Sequence, residues 1–212
     1  MIQALSKSVT FDEFIAWYPE QSERTYELHN GVIVEMPKPT GDHSEVAGFL
    51  VAEFNFAIRQ EKKYWLIPKE CLVKSKNERS GYEPDVIILD RSALESEPRW
   101  KKGSIITLGK TVCLAVEVVS TNWRDDYGYK LVDYEALGIP EYWIVDYLGI
   151  GGRRYIGNPK QPTLSVCQLL DGEYQIRQFR GDERIESLAF PNLNLTAIQI
   201  FAAGREEPKK SE

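Results

Sequence analysis

Residues Val112–Tyr147 read VCLAVEVVSTNWRDDYGYKLVDYEALGIPEYWIVDY. The first eight are apolar except for Glu117, the composition of a buried strand. A helix is expected from about Asn122 to Leu137. Gly138 stands where a left-handed C-cap belongs, and Pro140 bars continuation. Tyr142–Tyr147 returns to apolar, β-favouring residues. A strand, a helix and a second strand in so short a span point to an α/β protein.

The flanking segments agree. Tyr26–His29 and Val32–Met36 enclose Asn30-Gly31, a strong hairpin signal. Thr10 with Glu13 forms a capping box that opens a helix. From Asp42 or Ser44 to about Gln60, Val46, Phe49, Leu50, Phe54 and Ala57 recur at helical spacing. Strands are expected at Tyr64–Leu66, Cys71–Val73 and Val86–Leu89. A late hairpin pairs Leu164–Leu170 with Tyr174–Phe179 around Asp171-Gly172, and Leu195–Phe201 forms a short closing helix. The fold class is α/β, a mixed β-sheet flanked by helices with an extra β-hairpin region. One domain is expected over residues 1–203, followed by a flexible polar tail, 204–212.

Composition narrows the function. The 212 residues suffice for a core without metal or disulfide staples. Lys+Arg number 26 and Asp+Glu 32, so a chain that holds nucleic acid by general basicity is excluded, though a local basic groove is not. The three cysteines, Cys71, Cys113 and Cys167, form neither a CxxC pair nor a disulfide framework. The first residues lack the basic-then-apolar pattern of a signal peptide. No apolar run approaches the about 20 residues of a membrane span. A cytoplasmic protein without membrane association is expected.

The chemistry starts at Glu117. Strand alternation puts Cys113, Ala115, Glu117 and Val119 on one face. A carboxylate among apolar neighbours is costly unless a cation or a hydrogen-bond network meets it. Asp85 follows Pro84 at the start of another apolar strand. Pro84 has no N–H, which places this point near a sheet rim. Taken alone, Asp85 is an ordinary strand-start or turn residue. On the helix after Glu117, Asp126, Lys130 and Tyr134 fall on one face, so Lys130 either pairs with Asp126 or reaches Glu117. Two carboxylates and a lysine are the minimum for metal-assisted phosphodiester hydrolysis. The acids are hard ligands for Mg²⁺ (or Mn²⁺), and the lysine orients or deprotonates water or stabilises developing charge.

EPDVIIL, LAVEVVS and DYGYKLVDYEALGIPEYWIVD resemble the Uma family, bacterial proteins classed with the PD-(D/E)XK, restriction-endonuclease-like nucleases. The resemblance runs from about Thr10 to Phe201. It implies that Asp85 is the PD aspartate and Glu117 the (D/E) of (D/E)XK, both catalytic and metal-binding. The motif lysine would fall on Val119, which cannot do its work. The resemblance places it instead at Lys130, and Ser120 completes an E-x-x-S pattern. Glu45, on an early helix, matches an accessory catalytic acid; by itself it is a first-turn acid complementing the helix dipole. DNA is the implied partner, cut by a Mg²⁺-dependent endonuclease, with a homodimer consistent with double-strand cleavage. Val119 keeps open a non-catalytic nucleic-acid-binding or interaction protein on the same fold, and a hydrolase of small phosphoesters is a third reading.

Other residues carry less. His43, ahead of a helix, is placed to reach a site rim but reads first as a surface residue, and no G-x-S-x-G elbow makes a serine nucleophile of Ser120. Cys113 reads as a small buried apolar residue. Gly149-Ile150-Gly151-Gly152-Arg153-Arg154 is either a phosphate-contacting loop or a mobile loop with solvated charges. Lys62-Lys63, Arg99 and Lys101-Lys102 are local basic spots, and Trp100 or Trp123, where exposed, can stack on bases.

Overall fold

The computed structural model describes residues 8–19 and 23–204. The expected polar tail, beyond Gly204, lies outside the described residues. Thr10 caps α1 (Phe11–Trp17) through the reciprocal bonds with Glu13. β1 (Thr25–His29) and β2 (Val32–Met36) form the expected hairpin, with Asn30 and Gly31 both at positive φ. α2 (Gly41–Gln60) starts slightly earlier than its periodicity suggests, because the Thr40 hydroxyl accepts the His43 N–H.

Short elements follow: β3 (Trp65–Leu66), β4 (Leu72–Lys74), β5 (Gly81–Tyr82), β6 (Val86–Asp90), α3 (Arg91–Leu94), α4 (Trp100–Gly103) and β7 (Ile105–Ile106). After β8 (Val112–Val118) comes one unbroken helical stretch in three parts: α5 (Trp123–Asp125), a π-helical turn (Asp126–Lys130) and α6 (Leu131–Leu137). Gly138 ends it at φ 87°, in the left-handed conformation its position called for. Then come β9 (Glu141–Asp146), α7 (Arg153–Ile156), β10 (Thr163–Leu170), β11 (Glu173–Phe179) and α8 (Ala197–Ala203).

The strands make two mixed sheets. The smaller runs β2-β1-β5-β4-β7 and the larger β11-β10-β9-β8-β6-β3. In the larger sheet β8 and β9 are parallel, with Glu117 beside Ile144, and the helical stretch is their crossover. β6 runs antiparallel to β8, and the late hairpin extends the β9 edge.

The larger sheet buries both faces. On one, α2 and α8 bring Leu50, Phe54, Ile200 and Phe201 against Leu114, Val116 and Trp143. On the other, Tyr127 and Tyr134 of the crossover, with Val73, Tyr82 and Ile106 of the smaller sheet, cover Ala115, Val119, Tyr142 and Ile144. Side chains do not alternate regularly along β8. A register shift opposite Ile88/Leu89 puts Cys113 on the α2 side, so it does not share the face of Glu117 as simple alternation requires.

Candidate active site

The chain passes from the smaller sheet to the larger through Glu83-Pro84-Asp85, between β5 and β6. Pro84 stands at the crossing, where a missing N–H breaks no ladder bond. Asp85 is thereby held at the open end of β6, next to the Glu117 end of β8. The register pairs Val86 with Val116, one residue short of both acids. The Val118 N–H donates to Asp85 Oδ2 at 2.7 Å. His43 Nε2 lies 2.9 Å from the Val118 carbonyl oxygen and 3.3 Å from Asp85 Oδ2. Both partners are acceptors, so Nε2 carries the proton and clamps the end of β8 to Asp85. These groups line a pocket of about 460 Å³ with Glu27, Glu83, Glu117, Asp126 and Lys130.

The pocket's charged floor lies between the sheets. Lys130 Nζ is 3.0 Å from Glu117 Oε2, 3.1 Å from Glu27 Oε1 and 3.8 Å from Asp126 Oδ1. The Tyr134 hydroxyl donates to Glu117 Oε1 at 3.0 Å. Glu27 accepts the Glu83 N–H at 3.0 Å and a bond from His29 Nε2 at 2.8 Å. Glu27, Glu117, Asp126 and Lys130 are each no more than 3% exposed. Asp85, at 26% side-chain exposure, is the acid that faces the opening.

Burial and mutual charge decide protonation. Burial opposes the charge on Lys130, but Glu117, Glu27 and Asp126 outweigh it and hold its pKa well above the usual value. Glu27 is also penalised by burial, yet Lys130 and His29 bring it below the ordinary carboxylate range. Glu117 goes the other way. Burial, only partly offset by Lys130, combines with the charges of Asp85, Asp126 and Glu27 to push it well up. The same causes raise Asp126 to about 7. His43 loses to burial but gains more from the Asp85 carboxylate, and its pKa is raised. Acids therefore outnumber cations at this point, and a further cation would relieve the repulsion.

The structure thus brings Asp85, Glu117 and Lys130 into one pocket. Glu45 is exposed on α2 and does not line it. The α2 residue that does is His43, read from sequence as a surface residue; the first turn of α2 lies over the end of β8 and turns its side chain inward. Glu27 and Asp126 also line the pocket, and His29 stands behind Glu27; the sequence reading assigned none of the three. Their signal was present: Glu27 and His29 alternate about Leu28 on one strand, and Asp126 precedes Lys130 by one helical turn.

The remaining features sort simply. Val119 is buried in the core, and the ammonium beside Glu117 is that of Lys130, in the π-helical turn. Ser120 Oγ bonds Asn122. Burial raises the Cys113 thiol to about 12, so it stays protonated. The glycine run is ordered by Asp146, whose carboxylate accepts the Ile150 and Gly151 N–H groups at 3.0 and 2.8 Å. Lys63 is paired with Glu61 and Arg99 with Asp12. Trp100 and Trp123 are both half-buried.

A family model described as "Uma2: Putative restriction endonuclease" matches residues 11–198. Among solved structures the chain is similar to "a putative nuclease belonging to DUF820 from Anabaena variabilis". The TM-score is 0.70 at 18% identity, over 93% of this chain and 99% of that one, a likeness of fold. No curated protein matches the chain.

Proposed function

The chain belongs to the Uma2 family, and from that premise we propose that it is a divalent-metal-dependent endonuclease hydrolysing phosphodiester bonds of DNA. One observation carries the reading: Asp85 and Glu117 line the same pocket, with Lys130 Nζ 3.0 Å from Glu117.

The donor set fits a hard divalent ion. Both contacts to Asp85 fall on Oδ2, which leaves Oδ1 for a ligand. Burial and the charges of Asp85, Asp126 and Glu27 disfavour the Glu117 carboxylate even with Lys130 beside it, and a divalent ion would offset them. Among the described residues no three His, Cys, Asp or Glu side chains form a ready metal cage. Two carboxylates suit Mg²⁺, which keeps several of its waters. When bound, the ion polarises a water and screens the phosphate.

The chain's own groups do the rest. Lys130 is held protonated by its acids, so it donates hydrogen bonds and stabilises charge on the phosphate rather than accepting a proton. Tyr134 and Lys130 between them fix both oxygens of Glu117. Glu27 and Asp126 hold the ammonium in place, and His43 holds Asp85 and the Val118 carbonyl. The reading includes a cytoplasmic location and a homodimer that presents two such sites to a duplex. No described helix is long and apolar enough to cross a membrane.

Cleavage of plasmid and single-stranded DNA with Mg²⁺ or Mn²⁺, beside EDTA and Asp85→Asn, tests it. Cutting that disappears in EDTA and in the variant is expected. Cutting that persists in both, or a folded protein that neither cuts nor takes up metal, would overturn it.

A further inference from the structure

A second concavity, of about 990 Å³, lies on the outer side of the crossover helix. Trp123, Tyr155, Arg124, Arg153 and Arg154 line it. Arg124 lies over the Trp123 ring at 4.5 Å and Arg154 over the Tyr155 ring at 4.4 Å. The two rings meet edge to face at 6.2 Å, and Tyr155 is backed by Tyr127 at 4.6 Å. All three arginines are exposed, and among the described residues none of them meets a carboxylate at salt-bridge distance. The acids in the wall are turned to other partners: Asp133 accepts from Tyr82 and Asn77, and Asp125 faces His29. In a chain of net charge −6, three guanidiniums without a carboxylate at pairing distance, against the two acids Asp125 and Asp133 in the same wall, leave the cleft with more cations than anions.

We propose that this cleft takes an unpaired stretch of the nucleic-acid strand, its bases stacking on Trp123 and its phosphates pairing with Arg124, Arg153 and Arg154, with Tyr155, held between Tyr127 and Arg154, backing the cleft. Aromatic faces interleaved with cations suit single strands, because every base offers a π-face but a duplex hides it. Arginine matches phosphate through its planar fork. The cleft also continues the catalytic pocket. Asn122 lines the pocket and Trp123 the cleft; across the gap, Ile150 lines the pocket and Gly152 the cleft. Gly152 permits this closeness, since a Cβ there would stand 2.9 Å from the Trp123 ring. A strand leaving Asp85 over the start of α5 runs into the cleft. The choice of nucleic acid rests on the nuclease reading, and its substrate is thereby a strand with an unpaired segment beside the scissile bond.

The test is fluorescence anisotropy of labelled oligo-dT and of a blunt-ended, loop-free duplex, in EDTA, so that binding is read without cleavage. Wild type should bind the single strand more tightly than the duplex. Arg124→Ala and Arg154→Ala should each weaken single-strand binding and lower the slope of log K against log salt by about 0.7. Trp123→Leu, checked by circular dichroism, should weaken it by about tenfold or more. Lys101→Ala/Lys102→Ala, a distant exposed basic pair, should leave it unchanged. The proposal falls if the arginine variants bind as wild type, or if single strand and duplex respond equally to all three cleft variants. Failure of the catalytic reading shows separately, as absent cleavage with this binding pattern intact.

Discussion

Lys130 Nζ lies 3.0 Å from Glu117 of the larger sheet and 3.1 Å from Glu27 of the smaller one, so a single buried cation joins the two sheets. Removing it takes the shared ammonium from three buried acids, Glu117, Glu27 and Asp126. Lys130→Met should cost about 3–5 kcal/mol, the usual effect of breaking a buried pair, measured by urea unfolding. Cleavage should fall at least about 100-fold, as when a transition-state donor is lost. Adding Glu27→Gln should restore part of the stability and none of the cleavage.

Asp85 is more exposed than its neighbours, and an amide oxygen can still accept the Val118 N–H. Asp85→Asn should therefore shift stability by less than about 1 kcal/mol, in the range of surface changes. Metal uptake, followed by calorimetry, and cleavage should both be lost. A variant that unfolds would show that Asp85 is chiefly structural.

Tyr134→Phe removes the donor to Glu117 Oε1 and nothing else of that ring. Leaving a buried acceptor unmade costs about 1–3 kcal/mol. The thermal midpoint should drop accordingly. Cleavage should fall while metal dependence is retained, because Glu117 keeps its place but loses its fixed orientation.

Gly31 has φ +83°, and a Cβ there would sit 1.9 Å from Ser8 Oγ. Gly31→Ala should cost at least about 1–2 kcal/mol from the backbone conformation alone. Since this turn sets the register of β1, which carries Glu27, cleavage should decline with stability when both are measured on one preparation.

What the amino-acid sequence determined by itself is local. The Asn30-Gly31 turn, the Thr10 cap, the Gly138 stop and the strand–helix–strand order follow from backbone preferences that act within a few residues. The apolar run around Glu117 also showed that one carboxylate would need a partner. Which partner it finds depended on tertiary structure. Glu27 arrives from another sheet and His43 from the first turn of α2, and chain spacing does not encode either approach. The lysine that does stand beside Glu117 comes from a π-helical turn that closes onto the strand end, an outcome of packing rather than of propensity. The bulge that turns Cys113 away from Glu117 arises where β8 meets β6, and strand alternation read along one chain cannot anticipate it. The cationic cleft likewise sets arginines from two distant segments around one space, with Gly152 close against the Trp123 ring, an approach that chain spacing does not encode.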